Sequence, residues 1–539
     1  MKYCLSRFYA GIALLLLLTI PAQAGEYVRE TLVKPAHLHI LNGLVFDRDD
    51  NLYVGSVIGQ SVYKVNVANH SYETLIGPTD GMADDIETDA SGALYWTSIM
   101  TGEIFKLDKG STTPKVIASG HPGFNSIAFN AQGRLFSGLV FLGDALYEID
   151  PQGIRQPKLV IDKPGGLNRF DFGADGKIYG PLWFKKQIVS IDIDTKEIKV
   201  IADGFGIPSA ANFNSRGELF VTDTQEGQVI RVNTKTGEKT VIVDLTAGID
   251  NLAFDSKDNL FISRPSDNAI LRVDVAKGTT EEIIRGGGLS VSADISLIRD
   301  PNGEKIFVAD VLSLREINTE TGEMREIARM RTDKIENPMY IDVSARYLAV
   351  SSWQTNLVQV FDRKTRQMIL SSPAVKMPHD VLVMGDNVLV ASQSDKSLWR
   401  LSLPGGKAEL VCKCLESAGS LTAKDDDIYI AETLAGKISH FSLVTNKRDV
   451  IAQGLDSPQG IDVMTDGRLV FAEVGTKRLI ALDSTNGKQQ VLATAIPVGL
   501  PAVKGRPEYF MPTGVTASSD GTIYLSSNTD TAVYKYSAP

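Results

Sequence analysis

The chain has 539 residues, of which 43% are hydrophobic and 22% charged, with a formal net charge of −10. That length exceeds one ordinary domain and points to two or three. The acidic balance argues against nucleic acid or anionic lipid as a partner, and three cysteines are too few for a disulfide-built scaffold.

The chain opens with Lys2 and Arg7, then an apolar run from Ala10 to Ile20 that holds five consecutive leucines. Pro21 and Ala22-Gln23-Ala24 close it with small residues at a signal-peptidase spacing. Residues 1–24 therefore read as a cleaved secretory signal, and the expected location is periplasmic or secreted. No Cys follows the run to carry a lipid. No later stretch is apolar enough to cross a bilayer as a helix, so no membrane insertion is expected after cleavage.

Tyr27 to Val33 has a strand pattern without a hairpin partner nearby. His37-Leu38-His39 then sets two imidazoles on one face of an extended segment, but no third metal ligand is in view. From Asn42 onward a unit of about 42 residues repeats. It runs as a small apolar strand, an Asp/Gly turn, and an apolar-aromatic strand. Asn42-Gly43-Leu44-Val45-Phe46 with Asn51-Leu52-Tyr53-Val54 compares with Asp250-Asn251-Leu252-Ala253-Phe254 with Asn259-Leu260-Phe261-Ile262. The turn recurs at Ser91-Gly92, Gln132-Gly133, Asp175-Gly176, Arg216-Gly217, Asp466-Gly467 and Asp520-Gly521, where Gly accepts the backbone angles of a tight hairpin. A third strand such as Val62-Tyr63-Lys64-Val65 and a fourth such as Lys239-Thr240-Val241-Ile242-Val243 complete each unit.

Four short strands per unit describe a propeller blade. Unit starts fall at Asn42, Asp84, Asn125, Asn168, Ser209 and Asp250, then at Asp294, Met339, His379, Gly419, Gln459 and Thr513. The predicted fold is all-β: tandem six-bladed β-propellers built from about twelve four-stranded blades. The first covers 34–287 and the second 288–539, with Arg285-Gly286-Gly287-Gly288 as the crossing. The last unit lacks a fourth strand, which residues 26–33 are expected to supply. The repeat count alone also admits seven plus five.

Each unit start lies at the mouth of a central channel. All six in the first half carry side-chain oxygen, which suits a hard divalent cation, Ca²⁺ or Mg²⁺ before Zn²⁺ or Mn²⁺, or a polyhydroxylated ligand. The same residue types also cap turns and strand ends. The expected metal ligands are Asn42, Asp84, Asn125, Asn168 and Asp250, with Asp84 and Asp250 as candidate catalytic groups. In the second half the ring is mixed. His379 is its candidate catalytic residue, with Glu432 and Glu473 ending nearby strands as its acid–base companions or as simple turn caps. Cys412 and Cys414, two apart, form either a local bridge or two free thiols, since strand geometry places such Cα atoms about 6.5–7 Å apart. No Gly-x-Ser-x-Gly, His-Glu-x-x-His or Cys-x-x-Cys motif occurs.

These repeats resemble the calcium-dependent phosphotriesterase superfamily of propellers, which includes the senescence marker protein/gluconolactonase family and its NHL-repeat and streptogramin-lyase relatives. Leu167 to Gly176, with Asn168 eight residues before the Gly, looks like the gluconolactonase stretch whose Asn binds the metal. Gly123-Phe124-Asn125 looks like its second metal-binding Asn. The family places a Glu ligand where this chain has Asn42, and an Asp ligand and base where it has Ser209. Pro378-His379-Asp380 and Ala431-Glu432-Thr433 are similar to the Pro-His-Gly and Thr-Glu elements of the lyases. The resemblance implies an exported, metal-dependent hydrolase of the lactonase or esterase type acting on a small molecule in the first channel. Two other functions fit the same sequence: a non-catalytic module binding a protein or glycan at a propeller mouth, and a lyase in the second propeller.

Overall fold

The computed structural model describes residues 26–501, 503 and 511–539; the leader expected at 1–24 lies outside the described residues. The described residues form twelve four-stranded antiparallel sheets, with a single short 3₁₀ turn, Pro265–Asp267, inside the sixth. Blades 1 to 6 begin at the strands Leu41–Phe46, Ile86–Thr88, Phe124–Phe129, Asp171–Phe172, Pro208–Phe213 and Leu252–Phe254. Blades 7 to 12 begin at Ile295–Asp300, Tyr340–Val343, Pro378–Met384, Ser420–Lys424, Pro458–Val463 and Val515–Ala517.

The repeated turn holds the first hairpin of every blade in the first ring. Asp89 accepts hydrogen bonds from Ser91 N (2.8 Å), Ala93 N (3.0 Å) and the Tyr95 hydroxyl (3.0 Å). Gly92 sits at φ +81°, the left-handed region that only Gly enters freely. In blade 6 the same place is taken by Asp258 at +61°, a residue whose short polar side chain tolerates that conformation.

Innermost strands of consecutive blades pack on one another, and each series of six closes on itself. In the first ring Phe46 of blade 1 meets Phe261 of blade 6 at 4.9 Å between centroids. In the second, Ile295 and Ile306 of blade 7 share a core with Tyr524 and Val533 of blade 12. The strand Val28–Val33 pairs with Ala532–Ser537 as the fourth strand of blade 12.

The chain therefore crosses between the rings twice, at 34–40 and at 286–294. The two crossings touch, for a Cβ on Gly287 would collide with the Lys34 carbonyl. Asn268 ties both, donating through Nδ2 to the carbonyls of Leu38 (2.7 Å), Leu289 (2.9 Å) and Ser290 (3.0 Å). Nearby, Asp267 of blade 6 meets Arg264 at 2.7 Å, and Arg329 and Arg315 of blade 7 at 2.8 and 3.5 Å. Buried Ile40, Met82, Val291, Val311 and Met339 extend the seam between rings.

Cys412 and Cys414 are joined by a disulfide with Cα atoms 5.3 Å apart. The strand Ala408–Cys412 ends at the first cysteine and Lys413 bends the chain, so the extended spacing expected from the sequence does not apply.

Candidate functional site in the first channel

In the first ring the start of each innermost strand delivers one side chain to the channel mouth. Backbone bonds to the second strand fix these starts: Asp84 N to Thr97 O (2.9 Å), Asn168 N to Pro181 O (3.1 Å), Asp250 N to Ser263 O (3.0 Å). Asn42, Asp84, Asn125, Asn168, Ser209 and Asp250 all line one cavity of about 180 Å³. Their immediate successors lie one step deeper, and two of them, Asp85 and Asn251, also line the cavity. Asp85 accepts from Ile127 N at 2.9 Å and pairs with the buried Arg169 at 3.2 Å, while Asn251 Nδ2 donates to its other oxygen at 3.3 Å. Arg169 also lies 3.6 Å from Glu87. This polar plug forms the floor of the cavity.

The two mouth carboxylates are placed differently from the plug. Asp84 accepts a hydrogen bond from Asn125 Nδ2, and Asp250 accepts one from Asn42 Nδ2 at 3.4 Å. Burial, then the charges of Asp250 and Asp85, push the Asp84 carboxyl well above the usual range. Burial likewise lifts Asp250 to about 6, against the hydrogen bond from Asn42. Asn42 Oδ1 is buried and has no hydrogen-bond partner among the described residues. Ser209 contributes less than its position suggests, because its hydroxyl donates to the Asp250 carbonyl at 2.8 Å. Asn168 Oδ1 accepts from Arg169 N at 2.9 Å and retains a second lone pair.

An all-oxygen donor set with two mutually destabilised carboxylates and one orphaned carboxamide oxygen fits a hard divalent cation. Imidazole and thiolate are missing from it, which matches Ca²⁺ or Mg²⁺ better than Zn²⁺. Among the described residues no three His, Cys, Asp or Glu side chains cluster as a metal site, so carboxamides are essential to this fit.

Residues 86–292 match the model of a family described as the SMP-30/Gluconolactonase/LRE-like region. The matched span runs from blade 2 to blade 6 of the first ring. Four of the six mouth positions, Asn125, Asn168, Ser209 and Asp250, fall inside the matched span, whereas Asn42 and Asp84 precede it. Among solved structures, the gluconolactonase XC5397 from Xanthomonas campestris is 15% identical, with a TM-score of 0.38 over 46% of this chain and 90% of its own. The extracellular domain of BT4673 from B. thetaiotaomicron, found in two structures, is 11% identical at TM-scores of 0.35 and 0.36, covering 93% of this chain and 76% of its own. No curated protein matches the chain.

Three groups at this mouth have no signal in the repeat. Phe141 and Trp183 come from hairpins of blades 3 and 4 and meet edge to face at 5.1 Å. Arg331 comes from blade 7, in the other ring, with Leu312 and Met330 beside it.

The second ring uses its equivalent positions otherwise. Asp294 accepts from Ile341 N of the next blade at 3.0 Å, and Gln459 Oε1 accepts from Thr513 N at 2.9 Å. His379 is 3% exposed and its Nε2 bonds the Tyr340 hydroxyl at 2.9 Å; burial lowers the imidazole to about 3. A Cβ at Gly419 would strike the Ala431 carbonyl. Glu432 accepts from the backbone of Glu416 and Ser417, from Ser439 and from Arg448. Glu473 is held by Asp456 N, Thr476 and Arg478. The two histidines near the first crossing also separate: buried His39 bonds the Asn528 carbonyl at 2.8 Å, while exposed His37 lies 3.4 Å from Asp530.

Proposed function

We propose that the first channel is the site of a divalent-cation-dependent hydrolase of the lactonase or esterase type, in an exported protein. The observation that carries this reading is the convergence of all six mouth positions on one cavity, with the Asn42 carboxamide oxygen buried and unpartnered. The family match over 86–292 supports it, as does a closed disulfide in a chain whose first residues have leader character. No helix among the described residues is long and apolar enough to cross a membrane.

Asn42, Asp84, Asn125, Asn168 and Asp250 would hold the cation. When bound there, a divalent ion polarises a carbonyl oxygen and lowers the pKa of a water. Asp250 would be the group that accepts a proton from a water in this cavity. Phe141 and Trp183 wall the mouth, excluding water and offering flat apolar faces to a ring-shaped substrate. The lyase alternative finds no support in the second ring, where Glu432 is spent on its own loop and Arg448. A non-catalytic binder remains the competing function, favoured by the replacement of the family's Glu and Asp by Asn42 and Ser209.

The test is the melting temperature in EDTA and after addition of Ca²⁺, Mg²⁺, Mn²⁺ or Zn²⁺, followed by turnover on a panel of sugar lactones and esters. A folded-state site stabilises by about 2.7 kcal/mol at one hundred times its dissociation constant. No shift with any cation and no cation-dependent turnover would sink the hydrolase reading in favour of the binder.

A further inference from the structure

We infer that the second propeller completes the first ring's site, with Arg331 holding an ionised carboxylate of the substrate beside the Trp183 indole. This rests on the hydrolase reading and names its substrate class: a lactone or ester that carries a second, free carboxylate.

Arg331 stands at the cavity mouth although its blade belongs to the other ring. Its neighbour Arg329 is bolted to blade 6 by bonds to the Ala247 carbonyl (3.1 Å) and Asp267 (2.8 Å), and Arg329 N is anchored to Asp333 at 2.7 Å. Met330 N bonds the Leu312 carbonyl at 2.9 Å. The backbone then turns through φ +79° at Arg331, a left-handed conformation that residues with side chains avoid. Three fixed neighbours and an unfavourable backbone thus aim one guanidinium over the first channel.

Among the described residues that guanidinium has no hydrogen-bond acceptor and no ion-pair partner; its contact is the Trp183 ring, 5.5 Å from centroid to Cζ. Burial disfavours its charge, with Glu336 and Asp250 acting on it only from a distance. A partly buried guanidinium with its planar donors unused is a receptor for a carboxylate, which it grips with two parallel bonds.

Charge balance at the mouth points the same way. In the plug Arg169 is already taken up by Asp85 at 3.2 Å and Glu87 at 3.6 Å. Asp84 and Asp250 together match one divalent cation, so the loaded mouth keeps the charge of Arg331 uncompensated. A neutral sugar lactone leaves it so, whereas one with a second carboxylate neutralises it.

The experiment is calorimetric titration of the whole chain without its leader, saturated with the cation that raises its melting temperature. The probes are glucarate and gluconate, which differ by one carboxylate in place of a hydroxymethyl. Glucarate is expected to bind about ten- to one-hundred-fold more tightly, the range of a hydrogen-bonded charge. Arg331→Gln should bring the ratio to near one without lowering the melting temperature, and Arg331→Lys should restore part of it. Trp183→Leu, which leaves the charge in place, should weaken glucarate less. Equal affinities for the two acids, a preference that survives Arg331→Gln, or no binding of either acid overturns the inference. Failure of every cation to raise the melting temperature instead sinks the hydrolase reading, and the same titration without cation still decides whether Arg331 selects the dianion.

Discussion

The two rings have the same blade count and strand order, yet their channel mouths are built for different ends. In the first, Asp84 accepts from Asn125 and Asp250 from Asn42, side chains of the same mouth, which leaves acceptors to spare. In the second, the aligned Asp294 and Gln459 bond the backbone of the next blade, as Asp342, Asp380 and Asp462 do one step deeper. A buried carboxylate that accepts two backbone N–H groups is a staple between blades. One that faces only carboxamides and another carboxylate is held in an uncomfortable state that a cation relieves. Pairing, more than burial, separates the two kinds.

That contrast can be broken at several points. The largest effect is expected from Asp250→Asn: cation-dependent lactone turnover falls about 10²- to 10⁴-fold, the range for loss of a general base, while the fold persists. Initial rates against a sugar-lactone panel measure it, and undiminished turnover would place the chemistry elsewhere. Next is Arg169→Ala, which strands Asp85 and Glu87 in the plug and should cost about 3–5 kcal/mol in denaturant unfolding. A cost below about 1 kcal/mol would mean that the plug is not load-sharing between blades.

A smaller effect concerns pH. Asp250 near 6 and Asp294 near 7 both bind protons more tightly folded than unfolded, where the carboxyl titrates near 4. The cation-free protein should therefore lose stability as pH rises from about 4 to about 7. Added Ca²⁺ or Mg²⁺ should recover only the first ring's share, so the melting-temperature rise is larger at pH 7.5 than at pH 5. Asp250→Asn should remove this pH-dependent recovery and Asp294→Asn should not. The smallest effect is His379→Ala, expected to cost about 1 kcal/mol through its lost bond to Tyr340 and to leave lactone turnover unchanged. A large loss of turnover would restore the second ring as a catalytic centre.

Much of the architecture is legible in the sequence because a blade is a local object. Its hairpin is written in one Asp/Gly turn, and the mouth position is found by counting back eight residues from it. Counting of this kind finds Asn42 through Asp250 as a set, since the repeat places equivalent residues around one axis. It does not say which way a hydroxyl such as Ser209 turns, nor that Asp294 will find the Ile341 amide, because those depend on the neighbouring blade's exact approach. Arg331 is invisible to it altogether. It lies in a connection outside any repeat position, and what brings it to the cavity is the packing of Asp267 against Arg329 across the seam. The Cys412–Cys414 bridge was left open by strand spacing because a bend at Lys413 decides it.

The strand Val28–Val33 has a consequence in time. It is made before any blade, yet its partner Ala532–Ser537 follows every other described strand. The six blades of the first ring can all be complete while this strand still waits, and the second ring cannot shut until the final residues arrive. The strand that acts as the latch is thus made ahead of all twelve blades, yet it is among the last segments to find its place.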